Sequence, residues 1–306
     1  MTHESFIWKN SNKPLSVSPD SVKIAPYHPD NQTSRHDYAV MYSNIEKMDQ
    51  QFQQLLNDLE KSDRANNTIV FFYSDNGGPL PRAKRELMDS GTRVPFMIRF
   101  PDRQLKGITT EDMNMFVDIP ATILSLAHIN PPANMHGKAM YGDYKTKEIR
   151  KYVFGATDRF DEQIEKRGSI RTDRYLYIRN YMPKQSVYRP VKFRLAMPMM
   201  RNMIELKRQD KLTHEQMLWF DENQPEELLF DCQNDPHQVN NLSVKREYQP
   251  VLIKMRKAYQ KEWIKNYNQE WEKYPEEYFV NQMWPNGKSP EAELPAIKIK
   301  KGKLRG

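Results

Sequence analysis

From Tyr38 onward, apolar residues recur at three- and four-residue spacing: Tyr38, Met41, Tyr42, Ile45, Met48, Phe52, Leu55, Leu56 and Leu59. Such a stripe predicts a long amphipathic helix whose tyrosines and methionines are core. A polar turn around Asn66 and Asn67 leads into Ile69 to Tyr73, an apolar run that predicts a strand, so helix and strand together read as an αβ step of a parallel sheet. Phe116 to Leu126 predicts a buried helix behind the charged start Thr109 to Asp112. Ahead of the long helix, the polar, Ser/Pro-rich lead from Asn10 to Pro29 is expected to be loop covering the sheet edge.

Past Pro131 and Pro132 the pattern changes. Tyr152-Val153-Phe154 and the segment Ser169 to Tyr181 predict short strands around a turn at Asp173, hence a smaller antiparallel subdomain. Proline, methionine and arginine crowd Pro183 to Met200, which reads as an irregular excursion over the surface. Thr213 is placed to cap a short helix, and Tyr248 to Trp271 predicts a long polar helix with Leu252, Met255, Tyr259 and Trp263 on one side. Loop and tail follow Tyr274, and no repeats are present. The expected boundaries are residues 1–145, 146–275 and a tail at 276–306.

Chemistry concentrates where the first strand ends, at Ser74-Asp75-Asn76-Gly77-Gly78. Within a strand neighbouring side chains face opposite ways, so Asp75 and Asn76 can aim at one object only once the backbone has turned. The two glycines permit that turn. A carboxylate beside an amide carbonyl offers hard oxygen ligands suited to Ca²⁺ or Mg²⁺, although Asp, Asn and Gly are also common in plain turns. Arg93 lies nine positions after Lys84 in the segment that follows, Pro81-Arg82-Ala83-Lys84-Arg85-Glu86-Leu87-Met88-Asp89-Ser90-Gly91-Thr92-Arg93-Val94-Pro95.

This order of elements resembles the sulfatase family, whose members carry an apolar strand ending in Asp-Asn-Gly, then a lysine, then a Gly-x-Arg-x-Pro segment leading into another strand, here Val94 to Phe100. The resemblance continues through Asp118 to Leu124, Arg171 to Arg179, Glu226 to Asp231, Asn234-Asp235-Pro236 and Asn240-Asn241-Leu242, covering roughly residues 1 to 265. The bacterial heparan N-sulfatase-like or arylsulfatase-like branch is the nearest likeness. What the resemblance implies for the fold is an α/β alkaline-phosphatase-like mixed sheet with flanking helices, here incomplete, plus a small C-terminal antiparallel β subdomain with a long helix.

For the site, the resemblance implies metal ligation by Asp75 and Asn76, with Ca²⁺ the expected ion and Mg²⁺ its alternative. Lys84 corresponds to the lysine contacting the sulfate and the leaving oxygen. His3, in Met1-Thr2-His3-Glu4-Ser5, corresponds to a histidine that hydrogen-bonds the sulfate or bridging atom. Arg82 is a candidate substrate contact, and Arg82 and Arg93 are also candidates for loop structure or orientation. The Thr-His-Glu segment lies midway through the family's catalytic domain, so the first half, with its aspartate pair and its Cys/Ser-x-Pro/Ala-x-Arg formylglycine motif, is expected to be missing. No such motif occurs in this chain, whose single cysteine, Cys232, reads as a small structural residue in a turn-rich segment. Losing the nucleophile of a cooperative catalytic set costs about 10⁶ in rate, so the chain alone is expected to be inactive.

Composition adds limits to this picture. The 306 residues suffice for one large or two smaller domains, and 38% hydrophobic content is adequate for a core. No apolar run approaches the roughly 20 residues of a membrane span, and the first residues lack a signal-peptide profile. The resemblance nevertheless implies a periplasmic or extracellular address. One cysteine excludes an internal disulfide framework. The net charge of +7 suits an anionic partner, sulfated glycosaminoglycan-type glycans among them, but does not choose it. With no zinc-finger spacing, RNA-binding aromatic signature or Walker loop, a nucleic-acid partner is not expected. The basic run Lys298, Lys300, Lys301, Lys303 and Arg305 reads as a solvated tail. The expected partners are thus a sulfated small molecule or glycan and the missing half of the catalytic domain. Two readings stay open beside a sulfatase: a vestigial, non-enzymatic anion-binding chain, and a phosphate-ester hydrolase of the same superfamily.

Overall fold

The computed structural model describes residues 14–101, 104–160 and 163–264. His3, the end of the expected helix toward Trp271, and the basic tail lie outside the described residues.

The apolar stripe forms α1, Gln32–Glu60, capped by Asn31, whose side-chain oxygen accepts the Ser34 N–H. Only its first turns are deeply buried: Tyr38, Ala39 and Val40 enter the core, whereas Ile45 and Leu55 are exposed. The lead before α1 runs along that helix instead of a sheet edge, because the N–H groups of Ser16 and Val17 both donate to Ser43 Oγ. After α1 come β1, Val70–Tyr73, the short α2, Asp89–Thr92, and β2, Phe96–Arg99. The parallel αβ step expected from the sequence is corrected here: β1 pairs antiparallel with β2, Val70 opposite Arg99 and Tyr73 opposite Phe96. A strand's partner is set by where the following chain returns, and here a 22-residue loop brings β2 back alongside β1. The helix α3, Asp118–Leu126, follows.

The second sheet is a meander, β3 (Val153–Phe160), β4 (Gln163–Arg171), β5 (Tyr175–Asn180) and, after a helical insertion, β6 (Glu227–Asp231). All its pairings are antiparallel, as the smaller subdomain was expected to be. Its two faces are both covered. Ile170, Tyr177 and Leu229 pack against Leu252, Met255 and Tyr259 of α7, Gln249–Ala258, and the π-helical turn Tyr259–Ile264 that extends it. The alternate residues Leu176, Ile178, Leu228 and Phe230 pack on Leu87 and Met88, so the opposite face seats the loop between β1 and β2.

The insertion contains α4 (Lys192–Leu195), α5 (Pro198–Arg208) and α6 (His214–Met217). The surface excursion expected at Pro183 to Met200 is thereby corrected. Val187, Tyr188, Val191, Leu195, Met197, Met199 and Met200 are all buried, and α5 packs on α1. Methionine's unbranched thioether fills such irregular helix contacts, which is why a run without clean periodicity still makes core. Asp37 on α1, fully buried, accepts the Met199 N–H at 2.8 Å and so satisfies the start of α5. Thr213 begins α6 as expected, its N–H donating to Gln216 Oε1. Among the described residues no helix is long and apolar enough to cross a membrane.

Candidate active site

Three backbone hydrogen bonds gather the residues singled out in the sequence. Beyond β1, the Ser74 N–H donates to the Pro95 carbonyl (3.4 Å) and the Gly77 N–H to the Gly91 carbonyl (2.9 Å), while the Lys84 N–H donates to the Gly78 carbonyl (3.0 Å). The acid–amide corner is thus tied to both ends of the lysine-bearing loop. Both glycines are required by close approach: a Cβ on Gly77 would lie 1.8 Å from the Ser90 carbonyl oxygen, and one on Gly91 2.3 Å from that of Glu86.

Within this knot Asp75 is exposed and Asn76 is half-buried. Asn76 Oδ1 is sealed from solvent and has no hydrogen-bond partner among the described residues. A buried amide oxygen left unsatisfied is costly, and a hard divalent cation beside the Asp75 carboxylate is a ligand that relieves the cost. The donor chemistry fits such an ion. Among the described residues no group of three or more His, Cys, Asp or Glu could hold a metal, so this corner supplies two oxygens and not a complete shell.

Lys84 is half-buried, on a turn between Arg82 and Arg85, both in left-handed backbone conformation with φ of 58° and 75°. Arg82 itself is buried: its guanidinium donates to the carbonyls of His237 (2.9 Å) and Gln238 (2.6 Å) and lies over the Tyr27 ring. Those contacts hold the loop against the segment after β6. Arg93 closes α2 through its N–H to the Asp89 carbonyl, and its side chain is exposed. Cys232 lies behind the loop, where burial pushes its thiol up to about 11 and keeps it protonated.

The other residues that fix the loop are not marked in the sequence. Glu86 is fully buried and accepts from Arg167 (3.1 Å), Arg194 (2.8 Å) and the Trp219 Nε1–H (3.2 Å). Burial alone would raise its pKa, but the two guanidinium groups outweigh that and hold the carboxyl below the ordinary range. Glu165 pairs with Arg167 and Arg189, completing a buried set of three arginines and two glutamates. Gln238, also buried, takes the Asp89 N–H on its side-chain oxygen at 3.0 Å. In a sequence with 47 Lys and Arg, nothing marks these arginines as interior.

The chain is similar to known proteins in sequence and in fold. The family model described as Sulfatase matches residues 9–129, and that described as N-sulphoglucosamine sulphohydrolase, C-terminal, matches residues 82–217. An ulvan-active sulfatase of Formosa agariphila is 37% identical over 306 residues, covering 99% of this chain and 51% of that protein. The human N-sulphoglucosamine sulphohydrolase is 26% identical over 153 residues, 47% of this chain and 30% of that protein. Among solved structures, that of a 2-O GAG sulfatase superposes with a TM-score of 0.60 at 18% identity, covering 89% of this chain and 58% of the other, a likeness of fold. The chain spans about half the length of that ulvan-active sulfatase. Its α/β architecture of mixed helices and antiparallel sheets is that of alkaline-phosphatase-like sulfatases. By its motifs, its fold and these matches, the chain belongs to the sulfatase family.

Proposed function

We propose that this chain provides the metal corner and the sulfate-binding lysine of a sulfatase that hydrolyses sulfate esters or sulfamates of sulfated glycans. The observation that carries the reading is the knot of backbone bonds joining Asp75–Asn76 to Lys84, with the orphaned Asn76 oxygen inside it. Asp75 and Asn76 would hold Ca²⁺, or Mg²⁺ in its place, which supplies charge stabilisation to the sulfuryl oxygens. Lys84 adds a second positive charge at that place and can hand a proton to the leaving oxygen or nitrogen; His3, by family likeness, shares that role. Arg82 acts by fixing the loop through the His237 and Gln238 carbonyls, and Arg93 by closing α2.

No residue of this chain fits the formylglycine motif, so no nucleophilic step is assigned to it. In this reading the nucleophile comes from a further part of the sulfatase fold, and residues 1–306 alone release no sulfate. A glycan substrate accords with the net charge of +7 and with the ulvan-active and N-sulphoglucosamine relatives. The periplasm or cell exterior is the matching address, since such polyanions are met there.

The test is a sulfate-release assay with the chain joined to a formylglycine-bearing sulfatase half, offered ulvan oligosaccharides, 2-O- and 6-O-sulfated glycosaminoglycan sugars, N-sulfoglucosamine and p-nitrophenyl phosphate. Sulfate release lost in Lys84→Ala and Asp75→Ala is the expected result. Turnover confined to the phosphate ester, or undiminished in both variants, overturns the reading.

A further inference from the structure

The Lys84 turn is held in a conformation that side-chain-bearing residues avoid. Left-handed backbone at both Arg82 and Arg85 is unfavourable and persists only where the surroundings over-determine it. One anchor is Arg82 itself, locked onto the His237 and Gln238 carbonyls. The other is the fully buried Glu86, gripped by Arg167, Arg194 and Trp219. Arg194 does more than neutralise Glu86, because its Nη2 also reaches the carbonyl oxygen of Lys84 at 3.2 Å. One guanidinium thus ties a carboxylate two residues downstream to the backbone of the lysine.

We propose that Glu86 and Arg194 are a positioning pair that sets the direction of Lys84 for the sulfuryl chemistry. The inference rests on the role given to Lys84 above. An apolar brace would stabilise the interior without desolvating charge, since hydrophobic replacement of a buried ion pair is often neutral or stabilising. It would offer no donor to the Lys84 carbonyl and no acceptor to hold that donor in plane. What the charged pair adds is direction, and sub-ångström misplacement of a catalytic group is expensive in rate.

The experiment uses the complete assembly assayed above, with Arg194→Lys, Glu86→Gln, Lys84→Ala and, as a control that loosens the α1–α5 contact without touching either charge, Met203→Ala. Arg194→Lys keeps a cation for Glu86 but loses the second planar donor. We expect kcat to fall by about 10- to 100-fold with KM changed less than about threefold. In parallel, the rate at which acetic anhydride acylates Lys84 at fixed pH, read by mass spectrometry, should change in both pair variants and not in Met203→Ala. The pair is refuted if Arg194→Lys keeps wild-type kcat and labelling rate, or if Met203→Ala reproduces its kcat loss and rate change. Should Glu86→Gln fail to fold, Arg194→Lys decides alone. Unchanged turnover in Lys84→Ala defeats the assigned role of the lysine, and the labelling rate still decides whether the pair directs it.

Discussion

His28 Nε2 lies 2.8 Å from the carbonyl oxygen of Pro81, and the ring's other nitrogen lies 2.8 Å from the Tyr38 hydroxyl. Its Nε2–H donates to the carbonyl that opens the lysine loop, and because burial keeps the ring neutral, Nδ1 accepts from the Tyr38 hydroxyl on α1. Burial lowers the ring's pKa to about 3.

That relationship predicts acid lability. The unfolded ring, near its ordinary 6.5, takes up a proton that the folded ring refuses until about pH 3. Stability from this group is therefore intact above about pH 6.5 and falls by up to about 1.4 kcal/mol per pH unit below it. Thermal melts between pH 7 and 4 should show the decline, and His28→Asn should start lower but decline less steeply. Parallel curves for the two proteins would remove His28 as the cause.

Gly91→Ala should disrupt the loop, because the added methyl meets the carbonyl oxygens of Glu86 and Ala83 at 2.3 and 2.4 Å, both of them backbone. Overpacking of this kind costs about 1–3 kcal/mol. Chemical denaturation measures it, and a change below about 0.5 kcal/mol would show the loop to be loosely held.

Removal of divalent metal with EDTA should abolish sulfate release by the assembled enzyme, and Ca²⁺ or Mg²⁺ should restore it. Asp75→Asn keeps the size of the side chain but loses its charge, so it should need a higher ion concentration for half-maximal activity. An identical metal titration for the variant would exclude Asp75 from the shell.

Met203→Ala, at a fully buried point between α1 and α5, should destabilise the chain by about 2–5 kcal/mol. Urea denaturation gives the value. A loss under about 1 kcal/mol would mean that α5 is not packed as described.

Local patterns were legible where one residue's neighbours decide its state. The α1 stripe, the β1 run, the Asp173 turn and the Thr213 cap follow from spacing and turn chemistry. Long-range choices were not. The antiparallel partner of β1 depends on how the Pro81–Pro95 loop folds back, and β6 becomes a strand by closing the meander against β5. Arg167, Arg189 and Arg194 look in sequence like any solvated cation, and only Glu86 and Glu165, up to 108 positions away, make them interior. The Asp-Asn-Gly corner and the lysine register stood out because catalytic groups are set by short strand-end motifs, whereas the frame holding them is assembled from distant residues.

β1 and β2 form a two-stranded ribbon. Its two strands pair only with each other among the described residues, and Tyr73 and Met97 stand exposed on it. Such a ribbon presents two free backbone rims to whatever strand arrives first. Handled by itself at high concentration, the chain should become turbid and gain β signal at a rate that climbs with protein concentration, and a lysine placed at Met97 should slow that conversion.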